Sequence, residues 1–204
     1  MRLDLDHLAV SAATLAQGVA LIEALLGVQP APGGVHPRMG THNLLLSLGP
    51  GLYLEVIAID PAAANPEHPR WFGLDRFEGP PRLTNWICRT DDLDAALGAA
   101  PKAMGPAVAL SRGDFRWRFA VPPGGILPFD DAHPALIQWQ GPAHPAQALP
   151  DSGCRLRRLV VTHPQALALR QALAALTDLR VEIVAGDTAM MAEIDTPSGL
   201  RVLQ

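Results

Sequence analysis

Apolar and polar positions alternate, switch to a helical period, then alternate again, and the chain does this three times. Leu3, Leu5 and His7 alternate with Asp4, Asp6 and Leu8, which predicts a strand with one preferred face. From Leu15, apolar residues recur at Val19, Ile22, Leu25 and Leu26, close to the 3.6 period of a helix. Ser11 is the candidate cap and Gly27 the stop. The segment QPAPGGVHPRMG (29–40) predicts a loop or a ragged short strand. HNLLLSLG (42–49) and LYLEVIAI (52–59) predict a hairpin about Gly49-Pro50-Gly51.

Residues 60–82 carry Pro61, Pro66, Pro69, Pro80 and Pro81, but also Trp71, Phe72, Leu74 and Phe77, so this connection has something to bury and is not a flexible linker. The pattern then restarts. LTNWICRT (83–90) predicts a strand, Asp91 or Asp92 caps a short helix through Leu97, and strands follow at 108–112, 115–122 and 135–139. After a second Pro-rich stretch (141–153) it starts again. A strand at 155–162 leads to a helix at 164–176 with Pro164 at its start, and VEIVAG, MMAEIDT and LRVLQ read as three short strands. The units fall at 1–60, 83–147 and 154–204, with a Pro-rich connection at 61–82, and are expected to pack as one compact domain.

Composition narrows the class. At 204 residues with 49% hydrophobic content and a mean hydropathy of +0.15, the chain buries a core and is not disordered. A net charge of −4 argues against phosphate-driven nucleic-acid binding, and Arg155, Arg157 and Arg158 are too few for a binding stripe. The N-terminal MRLDLDHLAV carries acids within its apolar stretch, unlike a signal peptide, and charge, Gly or Pro breaks the apolar runs before a membrane-spanning length. Cys88 and Cys154 form no metal or redox spacing. A cytoplasmic protein with neither nucleic-acid nor membrane partners is expected.

LDHLAV (5–10), HPRMGTHNLLLSLG (36–49), YLEVIA (53–58) and HPALIQW (133–139) together carry a resemblance. Over most of residues 3–147 the chain resembles the glyoxalase-like members of the vicinal-oxygen-chelate superfamily. The resemblance implies an α+β fold in which paired βαβββ modules form a cupped mixed sheet with helices outside, here with a third, smaller βαβββ-like unit. In metal-dependent relatives, ligands come from the first and last strands of each module. His7 matches a first-strand ligand and Glu55 a last-strand ligand, whereas Asn85 and Gln138 stand at the comparable second-module positions and depart from the glyoxalase I pattern. The superfamily hosts isomerases, lyases, dioxygenases, epimerases and resistance proteins.

His7 and Glu55 are the leading site pair. An imidazole and a carboxylate suit one divalent metal (Zn, Ni, Mn or Fe), with His36 or His42 as a further ligand. They equally suit metal-free work, with Glu55 as general base and His7 orienting or sharing the proton, or a buried pair that only satisfies itself. His36, His42 and Asn43 are candidates for contacting a polar substrate. In FRWRF (115–119), Arg116 and Arg118 share one strand face and Trp117 lies on the other, so either Arg118 or Trp117 faces the ligand. Phe129 and Trp139 are candidate pocket walls, while His68 and His163, each beside a proline, are expected at the surface. No GxSxG, GxxxxGK[ST] or HExxH occurs. The expected function is binding of a small oxygen-rich molecule with lyase, isomerase or dioxygenase chemistry. The alternative is a non-catalytic sequestering protein of the same fold. A second copy of the chain, meeting it through the third unit, is an expected partner.

Overall fold

The computed structural model describes all residues, Met1–Gln204. The first unit comprises β1 (Asp4–Ser11), α1 (Leu15–Leu26), β2 (Ala31–His36), β3 (Thr41–Ser47) and β4 (Tyr53–Ile59). The second comprises β5 (Arg82–Arg89), α2 (Leu93–Ala99), β6 (Ala107–Arg112), β7 (Phe115–Ala120) and β8 (Ala135–Trp139). Their strands form one eight-stranded sheet in the order β2-β3-β4-β1-β5-β8-β7-β6. Each unit is wired alike, its first strand parallel to its last (β1 with β4, β5 with β8) and the rest antiparallel. The two units join where β1 and β5 run antiparallel.

Curling of this sheet brings its free edges, β2 and β6, close together, so the cup is nearly closed. Glycine permits the approach: a Cβ on Gly34 of β2 would stand 2.6 Å from Cδ of Arg112 at the end of β6. On the outer face, α1 lies so close to β4 that a Cβ on Gly18 would meet Val56 Cγ1 at 2.3 Å. Thr14, not Ser11, caps α1 by accepting from the Gln17 N–H. Ser11 stays in β1, buried, with its hydroxyl 2.7 Å from that of Thr84. Gly27, at φ 72°, ends the helix as expected.

The third unit has the expected order of elements with different wiring. Its members are β9 (Arg155–Thr162), α4 (Ala166–Ala172), β10 (Val181–Val184), β11 (Ala189–Thr196) and β12 (Gly199–Leu203). The sheet order is β10-β9-β11-β12, so the first strand pairs in parallel with the second strand, not the last. Helix α4 is shorter than the 164–176 that periodicity predicts. The following residues are drawn away to pair with the start of the chain, Leu3 N–H donating to Ala175 O at 3.0 Å and Thr177 N–H to Leu3 O at 3.1 Å. One cluster of 42 buried residues runs through all three units.

Two connections shape the cup. In 61–82, a short 3-10 segment (Trp71–Arg76) sinks Trp71 and Phe72 into it, with Phe72 and Gly73 at φ 58° and 60°. In 141–153, the single-turn helix α3 (Pro145–Ala148) sets His144 against β1. No helix is long and apolar enough to cross a membrane.

Candidate functional site

A β-bulge builds the site. Along the β1–β5 ladder, Leu5 pairs with Cys88 but His7 pairs with Ile87, which leaves Asp6 as an extra residue. Regular alternation would place Asp6 on the face opposite His7, and the bulge turns it to the same side. There, fully buried, its carboxylate meets donors from three directions. His7 Nδ1 lies at 2.7 Å, His144 Nε2 at 3.0 Å and Trp139 Nε1 at 3.0 Å, with an Arg89 nitrogen at 3.5 Å. Burial alone would raise the Asp6 pKa, but the hydrogen bonds from His144 and His7 outweigh it and hold the carboxyl well below the usual range. Asp6 therefore stays ionised and acts as an acceptor.

That fixes His7. With Nδ1–H assigned as the donor to Asp6, the Nε2 lone pair faces Glu55 Oε2 across 3.7 Å. The ring is held flat on Tyr53, centroids 4.4 Å apart at 12°. Asn43 Nδ2 donates to Glu55 Oε1 at 2.5 Å, while Asn43 Oδ1 accepts from Arg112 at 2.8 Å and from the Gly34 N–H at 2.9 Å. His36 Nδ1 lies 3.0 Å from the Thr41 hydroxyl, and its Nε2 lies 3.4 Å from Arg112. Burial, reinforced by the Arg112 charge, pushes the His36 pKa down to about 3, so the ring is neutral beside the guanidinium. These groups line a narrow cavity with a free interior of about 30 Å³. Trp71, another lining residue, is buried and its indole N–H has no partner.

Of the residues singled out from sequence, His7, Glu55, His36, Asn43, Trp117 and Trp139 converge on this cavity. Others do not. His42 follows Thr41 and precedes Asn43 on β3, so the two-residue period turns it to the outer face. Arg118 also lies outside, where it forks onto Asp94 of α2 at 2.7 and 2.8 Å, and the aromatics of FRWRF face inward. Gln138 pairs with Arg118 in the ladder and shares its outward side, so it does not mirror Glu55. Phe129 packs instead on His133 and His163, because residues 129–131 take a left-handed turn away from the cup. His163 is buried and accepts from the Gln165 N–H at the start of α4, not exposed as expected. Asn85, fourth in β5 as His7 is in β1, is buried and its side chain has no hydrogen-bond partner. Tyr53, Trp71, Phe72, Arg112, Phe119 and Ile137 also line the cavity, with Asp6 buried behind His7, and none was a site candidate. Of these, only Asp6 left a signal, as an acid beside a His within an apolar strand.

The side chains present do not fit a divalent metal centre. Such a centre takes three protein ligands, and although His7, His36 and Glu55 line one cavity, no three His, Cys, Asp or Glu side chains are grouped so as to hold one ion. Beyond His7 and Glu55, the next neighbours are the Asn43 amide N–H and the Arg112 guanidinium, which are donors and, in Arg112, already cationic.

Buried histidines give the fold a pH dependence. His133, almost fully buried, is pushed down to about 4 by burial despite its bond to Pro134 O, and His36 to about 3. Unfolded, both titrate near 6.5, at about the ordinary histidine value, so the unfolded chain binds more protons below that pH. Their contribution is complete above about pH 6.5 and is lost as pH falls towards the folded values. Urea midpoints are expected to decline from pH 7 to 4, and less steeply in His133→Leu. An identical slope in the variant would remove His133 from this account.

The profile of the glyoxalase-like domain family matches residues 5–177. A hypothetical protein from Staphylococcus aureus has the same fold, with a TM-score of 0.63 over 92% of this chain and 88% of its own, at 15% identity. Methylmalonyl-CoA epimerase from Mycobacterium tuberculosis aligns over 71% of this chain and 91% of its own at 21% identity, with a TM-score of 0.44. No curated protein matches the sequence. With the family profile spanning most of its length and both βαβββ units wired alike around a cup, the chain belongs to the glyoxalase-like domain family of the vicinal-oxygen-chelate superfamily.

Proposed function

We propose that the cup binds a small oxygen-rich molecule and moves a proton at a carbon next to its carbonyl group, with the His7–Glu55 pair as the base. One observation carries this reading. Asp6 orients His7 so that two acceptor atoms, His7 Nε2 and Glu55 Oε2, face each other across 3.7 Å within the cavity. Such a pair attracts a proton, and an acidic C–H or O–H of a guest supplies it. Glu55 takes the proton from carbon, the C–H electron pair becomes the enolate π bond, and the charge moves to the carbonyl oxygen. The unpartnered indole N–H of Trp71 is the donor suited to that oxygen. Return of a proton to the opposite face of the same carbon gives epimerisation, and return to its neighbour, with the hydroxyl proton passing to the former carbonyl oxygen, gives isomerisation. Neither needs an oxidant or reductant.

The test is incorporation of solvent deuterium into α-hydroxycarbonyl compounds and α-substituted thioesters, followed by NMR. Exchange in the wild type that is lost in Glu55→Gln supports the reading. Exchange at equal rates in both refutes it, and saturable binding without any exchange assigns the cup to sequestration. Metal content is a separate check. Protein purified without chelator is expected to carry metal well below stoichiometry. Near-stoichiometric metal, lost in both His7→Ala and Glu55→Ala, would instead place a cation between the two side chains.

A further inference from the structure

We infer that the seam between β2 and β6 is an anion-binding subsite, which holds a carboxylate or phosphate group of a ligand whose other end lies against His7 and Glu55. This rests on the cup being a small-molecule site. Outside the seam lies a second, open cleft of about 380 Å³, lined by Arg38, Ser111, Arg116 and Gln140. It shares His36 and Trp117 with the inner cavity, so these two buried side chains stand between the two spaces and would have to turn aside for one ligand to reach both. Arg112, on the inner side, completes a set of three guanidinium groups along one path.

None of the three has a carboxylate partner. Arg70, Arg118, Arg155, Arg157, Arg158 and Arg180 each pair with an acid, whereas Arg38 touches only Ala109 O, at 3.4 Å, and Arg116 only the carbonyls of Gly113 and Phe115. Arg112 spends one nitrogen, on Asn43 and His36, which leaves its Nε and second terminal nitrogen without a protein acceptor. That free edge is the fork that receives two oxygens of a carboxylate or phosphate side by side. The Arg112 stem is held in place because Gly34 leaves it room. In a chain of net charge −4, three cations without a carboxylate partner on the two sides of the seam form a local attractive field for an anion.

Two probes test this, inorganic phosphate and malonate, with neutral malonamide as control. Trp117 and Trp139 fluorescence reports binding. Saturable binding of either anion, but not malonamide, is expected. Arg112→Gln is expected to weaken it by about tenfold, the worth of one charge-assisted contact, and Arg38→Gln with Arg116→Gln by a similar factor. Arg112→Lys, which keeps the charge and loses the fork, falls between. Saturation by phosphate alone or by malonate alone upholds the subsite and names the group it takes. Failure of both to saturate, or equal affinity in the wild type and the arginine variants, overturns it. Glu55→Gln separates the two proposals, because it removes the base and leaves the seam intact. Anion binding that persists there without deuterium exchange in the wild type would retain the subsite and reject the proton-transfer reading.

Discussion

Asp6→Ala is expected to lower the free energy of unfolding by about 3–5 kcal/mol, as breaking one side of a buried charged network does. The reason is the number of donors stranded at once. The His7 imidazole, the Trp139 indole and His144 all end on this carboxylate, which is 0% exposed. Alanine leaves the buried His7 donor and the half-buried Trp139 and His144 donors without their acceptor. Asp6→Asn is the subtler variant. Its amide can accept from one neighbour only by presenting N–H to another, so His7 loses its fixed tautomer even where the fold survives. The pH dependence has a definite sign. Folding lowers the Asp6 pKa, so its contribution is complete above the unfolded value of about 3.9 and is lost as pH falls towards the folded value. The stability gap between wild type and Asp6→Asn should therefore narrow below about pH 4. Urea denaturation across pH measures both effects, and a gap that stays constant into acid would contradict the charged state assigned to Asp6.

Glu55→Gln is expected to slow solvent exchange by about 100- to 10,000-fold, the range for loss of a general acid–base group, with little loss of stability. Glutamine keeps the shape and can still accept from Asn43 Nδ2. Its N–H2 then points at His7 Nε2, 3.7 Å from the atom it replaces, and satisfies that lone pair. The pair that attracts a proton becomes a closed hydrogen bond. Stopped-exchange NMR and urea midpoints on one preparation separate the outcomes. A variant that unfolds would mark Glu55 as structural, and a folded one that exchanges normally would place the base elsewhere.

Much of this architecture was legible because periods of two and 3.6 are local. The strands at 135–139 and 155–162 fall where alternation puts them, and Asp92 caps α2. The paired modules and the convergence of His7 with Glu55 followed from the resemblance and the strand order. What escaped detection depends on ladder register and closure. A single inserted residue in β1 moved Asp6 to the inside, and nothing in DLDHLAV marks which residue is extra. The same two-residue logic that found the faces could not say which face was inner, so His42 and Arg118 stood as candidates for the cup and lie outside it. Arg112 reaches the site only because β6 closes on β2, a contact between residues far apart in sequence. The third unit shows the same limit, since element order fixes neither neighbours nor direction.

Trp71 and Phe72, carried inward by the Pro-rich connection, set how much of the cup stays free. The wall strands are tied to one another by their ladder, so enlarging the cup through them would cost register and core together. The connection is bound by no such ladder. Phe72 lines the inner cavity on one side and, on the other, a groove towards the third unit. The capacity of the cup is thus written in a loop. Trimming Phe72 widens the cup while Trp71 and the frame that holds Asp6, His7 and Glu55 stay unchanged.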